Sequence, residues 1–131
     1  MPYEISFSKR VAISDREQYI NECCVGGDLV VDRLMPIVRN RYTNIQTNQE
    51  DWGWFIWFRK NQVRLAIDVC TDDPEQGLFR IHLTTRIKRF LWSDAVVDTP
   101  ELEELRTLVE TELTSWGAEA INIERLDRNY M

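Results

Sequence analysis

One histidine, three cysteines and a scatter of carboxylates are the side chains from which this 131-residue chain would have to build proton transfer, nucleophilic attack or metal ligation. His82 lies in the apolar–polar run 79–87, and Asp68 and Cys70 end the run before it. A carboxylate that orients an imidazole beside a thiol is a route to an activated nucleophile, so these three form the set to weigh. Pairing the two runs on their apolar residues puts His82 opposite Ala66, Asp68 opposite Arg80, and Cys70 one pair further on. That spacing separates the set. No G-x-S-x-G, H-E-x-x-H, P-loop or dinucleotide glycine pattern occurs, so no catalytic residue is assigned and an enzyme is the less favoured class.

Metal chemistry finds little support. A structural zinc needs four ligands at workable spacing, and the chain offers His82, the adjacent Cys23 and Cys24, and Cys70, with no C-x-x-C. Neighbouring cysteines do not reach the geometry of an ordinary bridge, so reduced, buried thiols are expected. Asp72-Asp73-Pro74-Glu75 lacks the alternating ligands of a calcium loop and reads as turn chemistry with Gly77. No metal and no cofactor are expected.

Sixteen basic against twenty-two acidic residues leave a net charge of −6, which argues against general binding to nucleic acid or to an anionic membrane. The charge is uneven. Between 99 and 116 five Glu accompany one Arg, whereas between 54 and 90 seven basic residues face four acidic ones. No apolar stretch approaches the roughly eighteen residues of a membrane span, and Met1-Pro2-Tyr3-Glu4 lacks the basic and apolar regions of a secretion signal. A cytoplasmic location is the expectation.

The elements that must position these groups follow from periodicity. Residues 3–7 alternate as a half-buried strand. Ser14 with Glu17 has capping-box spacing for a helix to about Cys24, which Gly26-Gly27 ends. Asp28 is placed to cap a second helix through Val30, Leu34, Ile37 and Val38 to Arg39 and Arg41, with Pro36 predicting a kink near Leu34 or a split. Residues 44–51 read as a polar turn. Residues 52–58 form a strand rich in aromatics, and Lys60-Asn61 or Asn61-Gln62 turns the chain into a strand at 63–70. A loop at 71–77 leads to a third strand at 79–87. Thr99-Pro100-Glu101 starts a helix whose stripe is Leu102, Leu105, Leu108, Val109, Leu113 and Trp116, and Gly117 ends it. Residues 120–126 form a last strand. The fold class is α+β, in the order β-α-α-βββ-α-β: one domain over 1–131, with an antiparallel sheet built on a three-stranded meander and helices packed on one face.

Strand pairing fixes which residues share a face. An even turn sets Phe58, Ile56 and Trp54 with Val63, Leu65 and Ile67. Pairing Val69 with Phe79 then sets Ile67 with Ile81, Leu65 with Leu83, and Asp68 opposite Arg80 as a cross-strand ion pair. The reverse face carries Phe55, Trp57 and Arg59, then Arg64, Ala66, Asp68 and Cys70, then Arg80, His82, Thr84 and Arg86. Trp52-Gly53-Trp54 has the aromatic-Gly-aromatic order of RNA-recognition strands, but Glu50-Asp51 replace the basic lead-in and the register turns Trp52 and Trp54 toward the core, so nucleic-acid binding is set aside.

The expected function is a small acidic protein-interaction domain, inhibitor-like or immunity-like, that binds a protein partner. Its contact would use Phe55, Trp57, Arg64 and Arg80 on the reverse face, or Glu103, Glu104 and Glu110 on the last helix. The alternative is a small-ligand-binding or catalytic domain with a pocket between sheet and helices, Trp walls and an Arg to anchor an anion. Convergent polar groups in one deep pocket would favour the alternative.

Overall fold

Alternation along 63–70, paired with the apolar run 54–58, makes a two-stranded ribbon with an apolar side that must find a cover. In the structure, a computed structural model that describes residues 2–10, 26–50, 52–73, 76–89, 93–96 and 99–126, two helices supply it. The described elements are β1 (Tyr3–Ser8), α1 (Gly27–Arg41), β2 (Thr43–Glu50), β3 (Gly53–Lys60), β4 (Val63–Asp73), β5 (Leu78–Arg89), β6 (Ser93–Val96), α2 (Pro100–Trp116) and β7 (Glu119–Arg125). All pairs are antiparallel, in the order β2-β3-β4-β5-β1-β7, with β6 added to β5 beyond the end of β1. The class is α+β. The helix expected at 14–24, with Cys23 and Cys24, falls outside the described residues, and no described helix is long and apolar enough to cross a membrane.

The core lies between this sheet and the two helices. Val30, Leu34 and Val38 of α1 and Leu102, Leu105, Val109 and Leu113 of α2 bury against Ile56, Leu65, Ile67, Ile81 and Leu83, and β1 adds Ile5 and Phe7. Trp54 and Trp116, expected fully inside, are partly buried at its margin. Gly53 separates Trp52 from Trp54 because a Cβ there would stand 2.0 Å from the Val69 carbonyl oxygen. Trp52 is 44% exposed, contrary to its expected core position, since the chain turns there before β3 begins.

Three expectations are corrected. Residues 43–50 are an edge strand, not a turn: they pair antiparallel with β3 from Thr43 to Glu50, and the polar composition suits an edge that faces water. Of the kink or split expected at Pro36, the split does not occur, since α1 runs on to Arg41; Pro36 is exposed, so the carbonyl that it leaves without an amide faces solvent. Gly26, at φ 89°, begins that helix rather than an Asp28 side-chain cap. By contrast α2 starts at Thr99, whose Oγ1 accepts from Leu102 N, and ends at Gly117 with φ 86°.

The register is corrected as well. The faces are as expected, but the pairing slides by two residues on both sides of β4. The turn is Asn61-Gln62, with Asn61 at φ 56°, so Phe58 faces Leu65 and Ile56 faces Ile67. β4 runs on to Asp73 and β5 starts at Leu78, a tighter connection than expected, so Ile67 faces Leu83 and Asp68 faces His82. Arg80 therefore faces Cys70 and not Asp68.

Candidate functional site

The corrected register arranges the reverse face in transverse rows, because residues paired across antiparallel strands project to the same side. Arg59, Arg64 and Arg86 form one row over β3, β4 and β5. Gln46, Trp57, Ala66 and Thr84 form the next, starting on β2. The third is Asn48, Phe55, Asp68, His82, Glu4 and Glu124. Like charges opposite each other are unfavourable in a sheet, and the Asp68 carboxyl, on which the Arg86 charge acts, offsets part of this.

A groove of about 670 Å³ opens over the first two rows, lined by Trp57, Arg59, Arg64, Ala66, Asp68, Thr84 and Arg86 with Asn44, Ile45 and Gln46 of β2. Ala66 is its floor: the small side chain stands between the Trp57 ring and Thr84. The β2 side of the groove is shaped by a bulge between Thr43 and Gln46, where Asn44 adopts φ 55°. Bulges of this kind re-aim side chains beside binding sites.

Trp57 is held from two directions. Phe55 stacks on it at 4.2 Å between ring centroids, and its Nε1 donates to Asp68 Oδ1 at 3.0 Å. Burial pushes the Asp68 carboxyl above its ordinary pKa, against the opposing pull of the Trp57 bond and of the His82 and Arg86 charges. Burial likewise raises the Cys70 thiol, so it is not the ready thiolate that nucleophilic attack requires.

Beyond Asp68 the face is knitted by ion pairs. His82 Nε2 lies 3.1 Å from Glu4 Oε1, and Arg80 reaches the same oxygen through Nη1 at 3.3 Å and Asp72 through Nε at 3.0 Å. The bond to His82, then that to Arg80, holds the Glu4 carboxyl below its ordinary pKa. Asp68 and His82 thus face each other, one pair closer than the sequence register placed them, Glu4 joins their row, and Arg80 pairs with Asp72 and Glu4 where a pair with Asp68 was expected.

The structure brings Trp57 and Arg64 together in the groove and keeps the other named residues apart from it. Phe55 is buried, 7% exposed, and supports Trp57 instead of presenting a surface. Glu103, Glu104 and Glu110 sit on α2, on the far side of the sheet. Each is bonded within the chain: Glu103 to the Tyr3 hydroxyl and Arg106, Glu104 to Lys60 at 2.8 Å, and Glu110 to Arg106 at 3.1 Å. Arg59, Arg86 and Ala66 were not singled out from the sequence. One signal was present: Arg59 and Arg64 stand symmetrically about Asn61-Gln62, so that turn sets them opposite each other.

Among the described residues no group of three or more His, Cys, Asp or Glu is placed to hold a metal ion. Comparison of the chain with known protein families and with characterised proteins finds no match in either.

Proposed function

We propose that the protein is a non-enzymatic binding domain that takes an anionic partner in the reverse-face groove. The observation that carries this is the row of Arg59, Arg64 and Arg86 along one end of a concavity whose side wall is Trp57. Guanidinium forks bind carboxylate and phosphate oxygens in pairs, and a concave site with a few converging polar groups is the usual form of a ligand pocket. The groove lies on the face of the sheet opposite the two described helices, not between sheet and helices.

A protein partner that presents carboxylates to the same row is the second reading, and the 43% exposure of Trp57 favours it, since Trp and Arg dominate the energetics of protein contacts. Calorimetric titration with tripolyphosphate and with an oligo-glutamate peptide tests both. Binding of either probe, weakened at least about tenfold in an Arg59→Gln/Arg86→Gln protein and falling with added salt, supports the reading. Absence of binding by both probes at millimolar concentration overturns it.

A further inference from the structure

The groove is polar in a directed sense. Along β4, Arg64, Ala66 and Asp68 follow one another on the same face, so the backbone positions that carry the cationic end and the carboxylate stand about 13 Å apart, four residues at about 3.3 Å each. The arginine row across three strands spans about 10 Å, two inter-strand spacings. Between the ends the groove is lined by the small side chain of Ala66, with Trp57 paired on one side of it and Thr84 on the other.

We propose that the groove binds a phosphate monoester of a planar, N–H-bearing ring, of which a nucleoside monophosphate is the simplest example; this rests on the anion-binding reading above. The phosphate sits at Arg59 and Arg86 with Arg64 between them, the ring lies over Ala66 against Trp57, and a ring N–H donates to Asp68.

Three features select this class. A row of guanidinium forks suits the several oxygens and nearly double charge of a phosphate monoester better than a single carboxylate. The anion-binding arginines and the accepting carboxylate belong to rows two pairs apart, which suits a ligand that carries its two groups on separate moieties, as a phosphate and a base joined by a sugar do. Trp57 spends one Asp68 acceptor position, and a carboxylate has about four, so the far end still accepts from a ring N–H. The Asp68 row continues into Glu4 and Glu124, so a polyanion extending past the ring would meet carboxylates. A single nucleotide therefore fits better than a nucleic-acid strand.

The same acceptor gives a base preference. Guanine offers two adjacent N–H groups to a carboxylate, while adenine sets an acceptor nitrogen beside its one amino group. Titration of the full chain with guanosine monophosphate, adenosine monophosphate, ribose 5-phosphate and inorganic phosphate tests the proposal, with calorimetry as the readout.

Guanosine monophosphate is expected to bind at least about tenfold more tightly than ribose 5-phosphate or inorganic phosphate, the worth of one stacked base. Trp57→Ala should erase that advantage and leave phosphate binding unchanged; Asp68→Asn should erase the preference for guanine over adenine. Ala66→Leu, which fills the floor without removing a polar group, gives the same loss should the Trp57 variant not fold. If all four ligands bind equally, the ring site is overturned while the anion reading stands. Should none bind, while tripolyphosphate or the acidic peptide does, this inference alone is wrong.

Discussion

The indole Nε1 of Trp57 and the carboxylate of Asp68 face each other diagonally across β3 and β4 and are joined at 3.0 Å. The bond aligns the ring that walls the groove and supplies a half-buried carboxylate with one of its donors. Trp57→Phe keeps an aromatic ring but deletes that donor. Since the bond to Trp57 opposes the burial that raises Asp68, its loss should raise the Asp68 carboxyl further. A carboxyl-carbon NMR titration of both proteins reads this directly, and an unchanged or lower midpoint in the variant would show that the bond is not made in solution.

Asp68→Asn retains an oxygen to accept from Trp57 and removes the titration. A carboxyl whose folded pKa is raised contributes stability that is complete below its unfolded pKa and is lost as pH rises through the folded value. The amide variant should therefore equal the parent at low pH and exceed it in melting temperature at neutral pH. A variant less stable at pH 7 would mean that the charge of Asp68 is needed by His82 and Arg86 more than burial penalises it.

Ile67 is fully buried at the centre of the sheet, opposite Ile56 on one side and Leu83 on the other. Ile67→Ala should cost about 2–5 kcal/mol in chemical denaturation, through lost transfer energy and an unfilled cavity. A loss within the surface range of about 0.5 kcal/mol would be incompatible with Ile67 on the buried face.

Face assignment was legible in the sequence because parity alone decides it: with a period of two, any even shift keeps Ile56, Leu65, Ile67, Ile81 and Leu83 on one side. The exact pairing was not, since a slide of two residues leaves the apolar pattern unchanged and only loop lengths distinguish the choices. That slide moved Asp68 from Arg80 to His82 and hid the arginine row. The ends of α2 were legible from Thr99, Pro100 and Gly117, where local backbone chemistry acts alone. Edge strand β2 was not, because a strand that buries little shows no alternation: of its eight residues only Gln49 is buried.

The Thr99 hydroxyl that caps α2 also donates to Thr85 Oγ1 at 3.1 Å, so the helix start is tied to the fully buried Thr85 of β5. Thr99→Ala removes both bonds and should cost about 1–2 kcal/mol, at the upper end for a lost cap. Thr85→Val and the double variant complete a cycle. A coupling of about 0.5 kcal/mol or more is expected from residues in one hydrogen-bond chain, and additive losses would show that the tie contributes nothing.

Tyr42 closes α1, and its ring packs on Phe58 at 4.5 Å between centroids. Its hydroxyl is buried and, among the described residues, has no hydrogen-bond partner; burial pushes the pKa up to about 12. A buried hydroxyl without a partner carries a desolvation penalty of about 1–3 kcal/mol, so Tyr42→Phe, which keeps the ring, should leave the protein as stable or raise its stability by up to that amount at pH 7. The pH dependence has a fixed sign. The unfolded tyrosine ionises near its ordinary value of 10.0 and the folded one at about 12, so the unfolded state loses its proton first and stability falls as pH rises between the two. Tyr42→Phe lacks this titration and should lose less stability between pH 9 and pH 12 than the parent does, measured by urea denaturation at each pH over that range. A phenylalanine variant clearly less stable at pH 7, or with an unaltered alkaline slope, would show that the hydroxyl is hydrated or bonded in solution.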